Sequence, residues 1–415
     1  MVPNRVARVA AVDAPTRPLR APRNPRTRFA VGLGRLAGRV SKQLGLGAGA
    51  VIGGRVTLAL DQRALSRLAA GRRVILVSGT NGKTTTAHML TAILRTRWPV
   101  AHNVTGANMP AGAVSALMTE PAAPWAVLEV DELYLGQVAD ATSPVALVLL
   151  NLTRDQLDRG AEVHAVAASL SAGLTRHPEA LVVANADDGT LVAAVGAAPH
   201  VIWVAAGASW VADAGTWGAA GGRPRPRPVW RARDGAVEGP SGTTALPLRL
   251  PGRFNTGNAA LAMAAADAVG VPAHRAAVAL GSLQSVAGRY AAVRRGGHVL
   301  HLFLAKNPAG WAETLPLLAE AQSLLLVVNA READGRDTSW LWDVPFEELP
   351  ARPTVASGER AADLGLRLGY ADRGHRTEPD PLAALDLLPE GDVHVVANYT
   401  AFDWLRRRLG VAGPL

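Results

Sequence analysis

Residues 73–97 constrain the fold more than any other stretch of this chain. Arg73 to Val77 (Arg-Val-Ile-Leu-Val) is a short apolar run of the kind that forms a buried parallel strand. Ser78 to Gly82 make a loop, and Thr84 to Arg97 continue as a helix with Met89, Leu90, Ile93 and Leu94 at helical spacing. Strand, glycine loop, Lys-Thr and helix together make a phosphate cradle, because glycines let backbone N–H groups approach an anion and a helix start adds its positive end. Gly79, Thr80, Asn81 and Gly82 supply the loop, with Thr85 just beyond it. Lys83 is placed to reach the outer phosphates of a nucleotide, and the Thr84 hydroxyl to hold Mg²⁺. The strict Walker pattern has a further glycine five residues before Gly82, where this chain has Val77, so the loop is a shortened variant.

The lysine itself is informative. Only three lysines occur against forty arginines, and two of them, Lys83 and Lys306, lie in motif-like surroundings. A lysine kept where arginine otherwise supplies positive charge points to a site that needs a compact ammonium. The plain alternative for any single lysine is a solvated surface charge.

At 415 residues the chain has length for two or three domains. No apolar run approaches the roughly 18 residues of a membrane span, and the arginine-dotted start does not read as a secretory signal. There are no cysteines, which excludes disulfides, thiolate metal sites and a cysteine nucleophile. The ten histidines show no metal-ligand spacing; His298 and His301 straddle a strand-like stretch and read as structural or exposed. Residues 1–45 hold ten basic residues against Asp13 alone, an excess equal to the formal net charge of the whole chain, +9. Residues 1–28 read as disordered and 29–45 as a basic helix with Phe29, Val31, Leu33, Leu36 and Val40 on one side. Such a segment is either a solvated tail or an attraction to an anionic membrane surface. Nucleic acid is disfavoured, because no aromatic residues interleave the charges.

From about residue 72 to 205 strand-like and helix-like stretches alternate, with strands at 126–130, 145–151 and 180–185, the rhythm of a mostly parallel doubly wound sheet. Residues 206–247, rich in Gly, Pro, Arg and Trp, read as an irregular β insertion. Helices follow at 258–269 and 271–284. A second alternation, with strands at 298–304, 324–329, 354–356 and 393–397, reads as a smaller α/β domain. The expected division is a basic tail and helix at 1–45, a central nucleotide-binding domain at 46–295 and a C-terminal Rossmann-like domain at 296–415.

Further segments carry chemistry once a nucleotide is in place. Glu129-Val130-Asp131-Glu132 closes a strand, where open α/β sheets present ligands, and Glu129 suits Mg²⁺; the alternative is a solvated acidic turn. Asn151 to Arg159 leave another strand end densely polar, and Asn255-Thr256-Gly257-Asn258 precedes a helix, where a cap is the modest explanation.

Taken in order, Gly-Thr-Asn-Gly-Lys-Thr, the strand-end glutamate, Asn151 with Asp155 and Asp158, Gly252 to Asn258, and Gly288-Arg289 resemble the Mur ligase superfamily, whose members couple ATP to condensation of an acid with an amine. Downstream, Lys306-Asn307-Pro308-Ala309-Gly310, Ala333 to Trp340, and Asn398-Tyr399-Thr400 resemble the MurT family within it, the synthetase subunits of lipid II isoglutaminyl synthases. The resemblance implies a Mur-ligase-like central P-loop ATPase domain with a mostly parallel sheet, and a C-terminal α/β ligase domain. It implies ATP and Mg²⁺ as cofactors, and amidation of the D-glutamate α-carboxylate of the peptidoglycan stem on lipid II through an acyl phosphate. Lys83, Glu129 and Arg289 would then serve the phosphoryl group, and Asn255 and Asn258 would lie near the base and ribose.

Since no cysteine glutaminase can reside in this chain, ammonia must come from solution or another polypeptide; the resemblance implies a GatD-like glutaminase as partner, with Asp337 completing that partner's triad. The competing reading of Asp337 is a local loop turn. Many MurT relatives carry a four-cysteine zinc ribbon in the central insertion; residues 206–247 have no cysteine, so zinc is not expected. Amino-acid-adding relatives often have histidine where this chain has Gln156, and an N-terminal nucleotide-sugar domain for which the stretch before residue 72 has no room. The expected setting is cytoplasmic, peripheral at the inner face of the plasma membrane. The competing functions are a Mur- or folylpolyglutamate-type ligase that adds an amino acid, and a non-catalytic nucleotide-binding scaffold. Lys306 fits a role toward substrate, phosphate or partner without a choice among them.

Overall fold

In the computed structural model, which describes residues 24–43, 50–103, 107–152, 163–196, 198–207, 225–250, 252–283, 290–331 and 334–411, contacts divide the described residues into one unit up to Leu283 and a second from Tyr290 onward. The first unit contains α1 (Pro25–Gln43), α2 (Ala50–Leu60), α3 (Ala64–Ala69), β1 (Arg73–Ser78), α4 (Lys83–Arg95), β2 (Val100–His102), α5 (Pro110–Thr119), β3 (Trp125–Glu129), α6 (Leu135–Thr142) and β4 (Ala146–Leu149). It continues with α7 (Val163–Arg176), β5 (Leu181–Asn185), α8 (Gly189–Val195), β6 (Val201–Ala205), β7 (Trp230–Arg233), β8 (Ala236–Gly239), β9 (Gly242–Ala245), α9 (Arg253–Ala268) and α10 (Ala273–Gly281).

The strands form one sheet in the order β2-β3-β1-β4-β5-β6-β7-β8-β9. All pairings from β2 to β7 are parallel, and only β7-β8 and β8-β9 are antiparallel. A parallel sheet is covered on both faces, which is why β1 and β3 read as nearly unbroken apolar runs. Alternation still sorts the residues. Val74, Leu76, Ala126, Leu128, Leu147 and Val182 share a core with α3, α5, α6, α7 and α8, while α4 and the alanine-rich α9 pack on the sheet as well as on each other. β1 has β3 on one side and β4 on the other. Chain connections leave in opposite directions there, and the carboxyl end of β1 opens on a crevice.

The second unit contains β10 (Tyr290–Arg295), β11 (His298–Leu304), α11 (Pro308–Thr314), β12 (Ser323–Val327), β13 (Thr354–Ser357), α12 (Ala361–Tyr370), β14 (Arg376–Thr377), β15 (Gly391–Ala397) and α13 (Tyr399–Arg408). Its sheet runs β10-β11-β15-β12-β13-β14, parallel except for β10. Leu324, Leu326 and Val396 face a core with Trp311, Trp340 and Phe346. Leu325, Val327 and Val395 face the opposite one with Phe402 and Leu405.

Three expectations need correction. The second unit begins earlier than residue 296, because β10 pairs along its whole length with β11. The basic helix begins at Pro25 rather than residue 29 and is no loose tail: α1 packs along α2, and α2 on α5. Within 206–247, residues 230–245 are three regular strands that extend the main sheet; residues 208–224 lie outside the described residues.

Candidate active site

β1 delivers the chain to the loop at the crevice. Gly79 has φ +142°, and a Cβ there would lie 2.9 Å from the amide nitrogen of Asn151 and from Leu150 Cβ. Only glycine permits both the conformation and the approach to the end of β4. Asn151, wholly buried, then grips the loop. Its carbonyl accepts from the Thr80 N–H at 3.0 Å, its Oδ1 accepts from the Asn81 N–H at 2.9 Å, and its Nδ2 donates to the Asn81 carbonyl at 3.1 Å. The amides of Thr80 and Asn81 are thereby turned to Asn151. The N–H groups that a helix start leaves without intrahelical partners belong to the residues after Gly82, which itself is left-handed at φ +81°.

Lys83 is 4 % exposed. Its Nζ is folded back over the loop, donating to the carbonyls of Gly79 and, at 3.2 Å, Thr80, and it pairs with Glu132 Oε2 at 3.0 Å. Thr84 and Thr85 occupy the first turn of α4 and are buried. Glu129 ends β3 in register with Val77, the residue before Ser78 on β1. Asn103 fixes its backbone, with 2.8 Å bonds to both the Glu129 N–H and carbonyl. Ser78 Oγ donates to the Val130 carbonyl at 2.8 Å, locking the two strand ends together. A narrow cleft, lined in part by Ser78, Gly79, Glu132, Asn151 and Leu152, runs beside the loop.

Asn255 and Asn258 lie within α9 rather than ahead of it, one turn apart on the same face. Asn258 Oδ1 accepts from Thr86 Oγ1 at 3.2 Å, and its Nδ2 donates to Asn255 Oδ1 at 3.3 Å. This tie holds α9 against the start of α4. Asp188 caps α8 through the Leu191 N–H at 2.9 Å and also accepts the Leu152 N–H at 2.7 Å; burial pushes its carboxyl upward. Sequence reasoning passed over Asn103, Glu132 and Asp188 as individual site residues. Glu132 belonged to an acidic run already singled out; Asn103 and Asp188 gave no signal. Arg289, Asp155 and Asp158 lie outside the described residues.

In the second unit the expected motifs gather at the carboxyl ends of β11, β12 and β15. Asn307 is the N-cap of α11, its Oδ1 accepting from the Gly310 N–H at 2.8 Å, with Pro308 at the first helical position. That explains the Asn-Pro-x-Gly part of the motif structurally. Asn398 and Asn329 bond reciprocally, at 3.1 Å and 2.7 Å. Asp334, 2 % exposed, accepts from the Thr400 N–H at 2.8 Å and from its hydroxyl, and burial raises its carboxyl. Asp337 is exposed; its Oδ1 accepts the Ser339 N–H at 2.8 Å and its Oδ2 the Ser339 hydroxyl at 2.9 Å, which orients the carboxylate at the surface.

Comparisons agree with this layout. Residues 77–266 match the Mur ligase middle domain family, and residues 304–402 match the MurT ligase C-terminal family. The chain is similar to the lipid II isoglutaminyl synthase (glutamine-hydrolyzing) subunit MurT of Streptococcus pneumoniae, with 28 % identity covering 89 % of this chain and 94 % of that protein. Its fold is similar to that of MurF from Acinetobacter baumannii, with a TM-score of 0.67, 18 % identity, and 86 % of this chain and 80 % of that one covered. The same holds for MurF ligase from Thermotoga maritima in complex with ADP, with a TM-score of 0.64, 18 % identity, and 84 % and 82 % covered. With both the middle and the C-terminal families matched and a MurT relative aligned along nearly the whole length, the chain belongs to the Mur ligase superfamily of ATP-dependent ligases, in its MurT branch.

Proposed function

We propose that this protein is the synthetase subunit of a glutamine-dependent amidating complex, converting the α-carboxylate of D-glutamate in the lipid II stem peptide to D-isoglutamine. The observation that carries the reading is the loop built around Lys83, in a chain similar along 89 % of its length to a curated MurT subunit. A phosphate group fits this loop. A side chain at position 79 would strike Asn151, so the backbone is bare there, and a buried ammonium already leans across the loop onto carbonyl oxygens. Gly82, Lys83, Thr84 and Thr85 would hold the phosphates of ATP, and Thr84 and Glu129 would offer oxygen ligands to Mg²⁺. Bound there, ATP supplies the phosphoryl group that turns the unreactive carboxylate into an acyl phosphate.

The chain's own part is positioning and charge. Lys83 would neutralise the outer phosphate oxygens, and the resemblance assigns Arg289 a similar role. Asn151 keeps the loop in the shape that aims the α4 amides inward, and Asn258 with Asn255 secures the helix behind it. Ammonia then displaces phosphate to leave the amide. With no cysteine in the chain, the ammonia comes from a GatD-like glutaminase partner, and Asp337, exposed and oriented by Ser339, orients the partner's catalytic histidine. The setting proposed is cytoplasmic and peripheral to the membrane that carries lipid II. Among the described residues no helix is long and apolar enough to cross a membrane.

The test compares nitrogen sources. Amide formation from ammonium by the chain with ATP supports the reading, and restoration of glutamine use by an added glutaminase completes it. Direct incorporation of a labelled amino acid in place of ammonia would refute it.

A further inference from the structure

α1 carries two faces with different fates. The inner one is made of small and polar residues: Thr27, Ala30, Gly34 and Ser41 are buried, as is Val31. A Cβ on Gly34 would lie 2.1 Å from Thr57 Oγ1 and 2.6 Å from the Gly53 carbonyl, so α1 and α2 are in backbone contact. Thr27 Oγ1 donates to Asp61 at 2.6 Å, Arg67 pairs with the same carboxylate at 2.8 Å, and Arg35 donates to the Met118 carbonyl at 2.6 Å. These ties fix the rotation of α1 about its axis and so decide what the outer face shows.

That outer face shows large apolar side chains. Phe29 is 65 % exposed, Leu33 37 %, Leu36 56 % and Val40 43 %. Their spacing of four, three and four residues places them within an arc of roughly 60°. Arg28, Arg35 and Arg39 follow the same register one residue earlier, on one flank of the stripe, and α1 contains no acidic residue. Four exposed apolar residues in a row on a helix that is otherwise well packed call for an occupant. An aromatic and aliphatic ridge edged by arginines is complementary to a surface that is apolar beneath and anionic on top.

We infer that the outer face of α1 is a membrane-docking surface, which seats Phe29, Leu33, Leu36 and Val40 at the acyl boundary of an anionic lipid layer with Arg28 and Arg39 among its headgroups. The inference rests on the peripheral placement proposed above and names the surface responsible; it does not depend on the amidation chemistry. The experiment is co-sedimentation of the full chain with vesicles of phosphatidylcholine alone and of phosphatidylcholine mixed equally with phosphatidylglycerol. Wild type binds the anionic vesicles and is released by high salt. The pair Phe29→Ser with Leu36→Ser, and separately Arg28→Glu with Arg39→Glu, each lower the partition by about tenfold or more. Val278→Ser, at a residue 75 % exposed on α10, leaves it unchanged.

Because the chain has no cysteine, Leu36→Cys carrying an environment-sensitive dye gives a second reading that does not depend on the double variants folding. Its emission shifts to the blue with anionic vesicles, and that of a labelled Val278→Cys does not. Equal binding by the folded Phe29/Leu36 variant would overturn the α1 assignment while leaving peripheral placement standing. Absence of wild-type binding would overturn both. Dimers that dissociate in the Phe29/Leu36 variant, with no vesicle binding, would assign the face to a second copy instead.

Discussion

Lys83 is buried by the loop it serves. Its ammonium meets two carbonyl oxygens and the Glu132 carboxylate, a set of contacts made by a point charge with rotatable donors. Lys83→Ala is therefore expected to lower amidation by at least ~10³-fold with glutamine and with ammonium alike, the scale of lost electrostatic help to a phosphoryl group. Lys83→Arg keeps the charge, yet its planar fork cannot reproduce these contacts in a closed loop, and most of the activity is expected to go with it. Initial rates, with melting curves to exclude unfolding, check both. Asp337 makes a different prediction, because its carboxylate stands at the surface. Asp337→Asn retains one oxygen for Ser339, so it should spare ammonium-driven amidation and lose the glutamine-driven reaction by ~10²-fold or more. Equal loss of both would reduce Asp337 to the turn it makes with Ser339.

At the scale of elements, one asparagine just past the end of β4, the strand next to β1, holds the glycine loop. Asn151→Ala removes two side-chain hydrogen bonds in a buried setting, which costs about 1–3 kcal/mol, and the loop that loosens is the proposed nucleotide site. The expected outcome is nucleotide affinity lowered roughly tenfold or more, read by calorimetry, together with a lower melting temperature. This clamp shows where the sequence could be read and where it could not. The strand–loop–helix around Lys83 was legible because its signals are local: an apolar run, two glycines and a helical period. The central strands were legible for the same reason. The clamp was not, since Asn151 reaches Asn81 only because β4 lies beside β1, a consequence of strand order. Asn255 to Asn258 read as a cap ahead of the helix, whereas both lie inside α9, where Asn258 bonds Thr86 on α4. β7 to β9 read only as an irregular β insertion because each strand is four residues long and the stretch around them is dense in Arg, Gly and Pro, too short a run for the period-2 pattern to stand out.

For the whole molecule, two quantities follow from where charge is and is not tolerated. His102 is buried on β2, its Nδ1 3.0 Å from the Val127 carbonyl and its ring edge-on to His88 at 4.6 Å. Burial, and then His88, lower its pKa from 6.5 to about 3. The unfolded chain takes up a proton below about pH 6.5 and the folded one does not until near 3, so stability falls as pH drops through that window. Between pH 6.5 and 5, above the ordinary carboxylate range, the loss should reach roughly 1–2 kcal/mol, and His102→Gln should flatten it. Melting temperature against pH decides this. The other quantity is catalytic competence without a partner, since everything needed to form the amide is assigned to this chain and only the ammonia source lies elsewhere. The most direct measurement incubates the full chain with ATP, Mg²⁺, lipid II and ammonium chloride at mildly alkaline pH and follows acid-to-amide conversion by mass spectrometry. The account predicts an ATP-dependent amide with no glutaminase present. An amide formed only once a GatD-like glutaminase is added would contradict competence without a partner, and no amide even then, or an added amino acid in place of the amide, would contradict the proposed reaction.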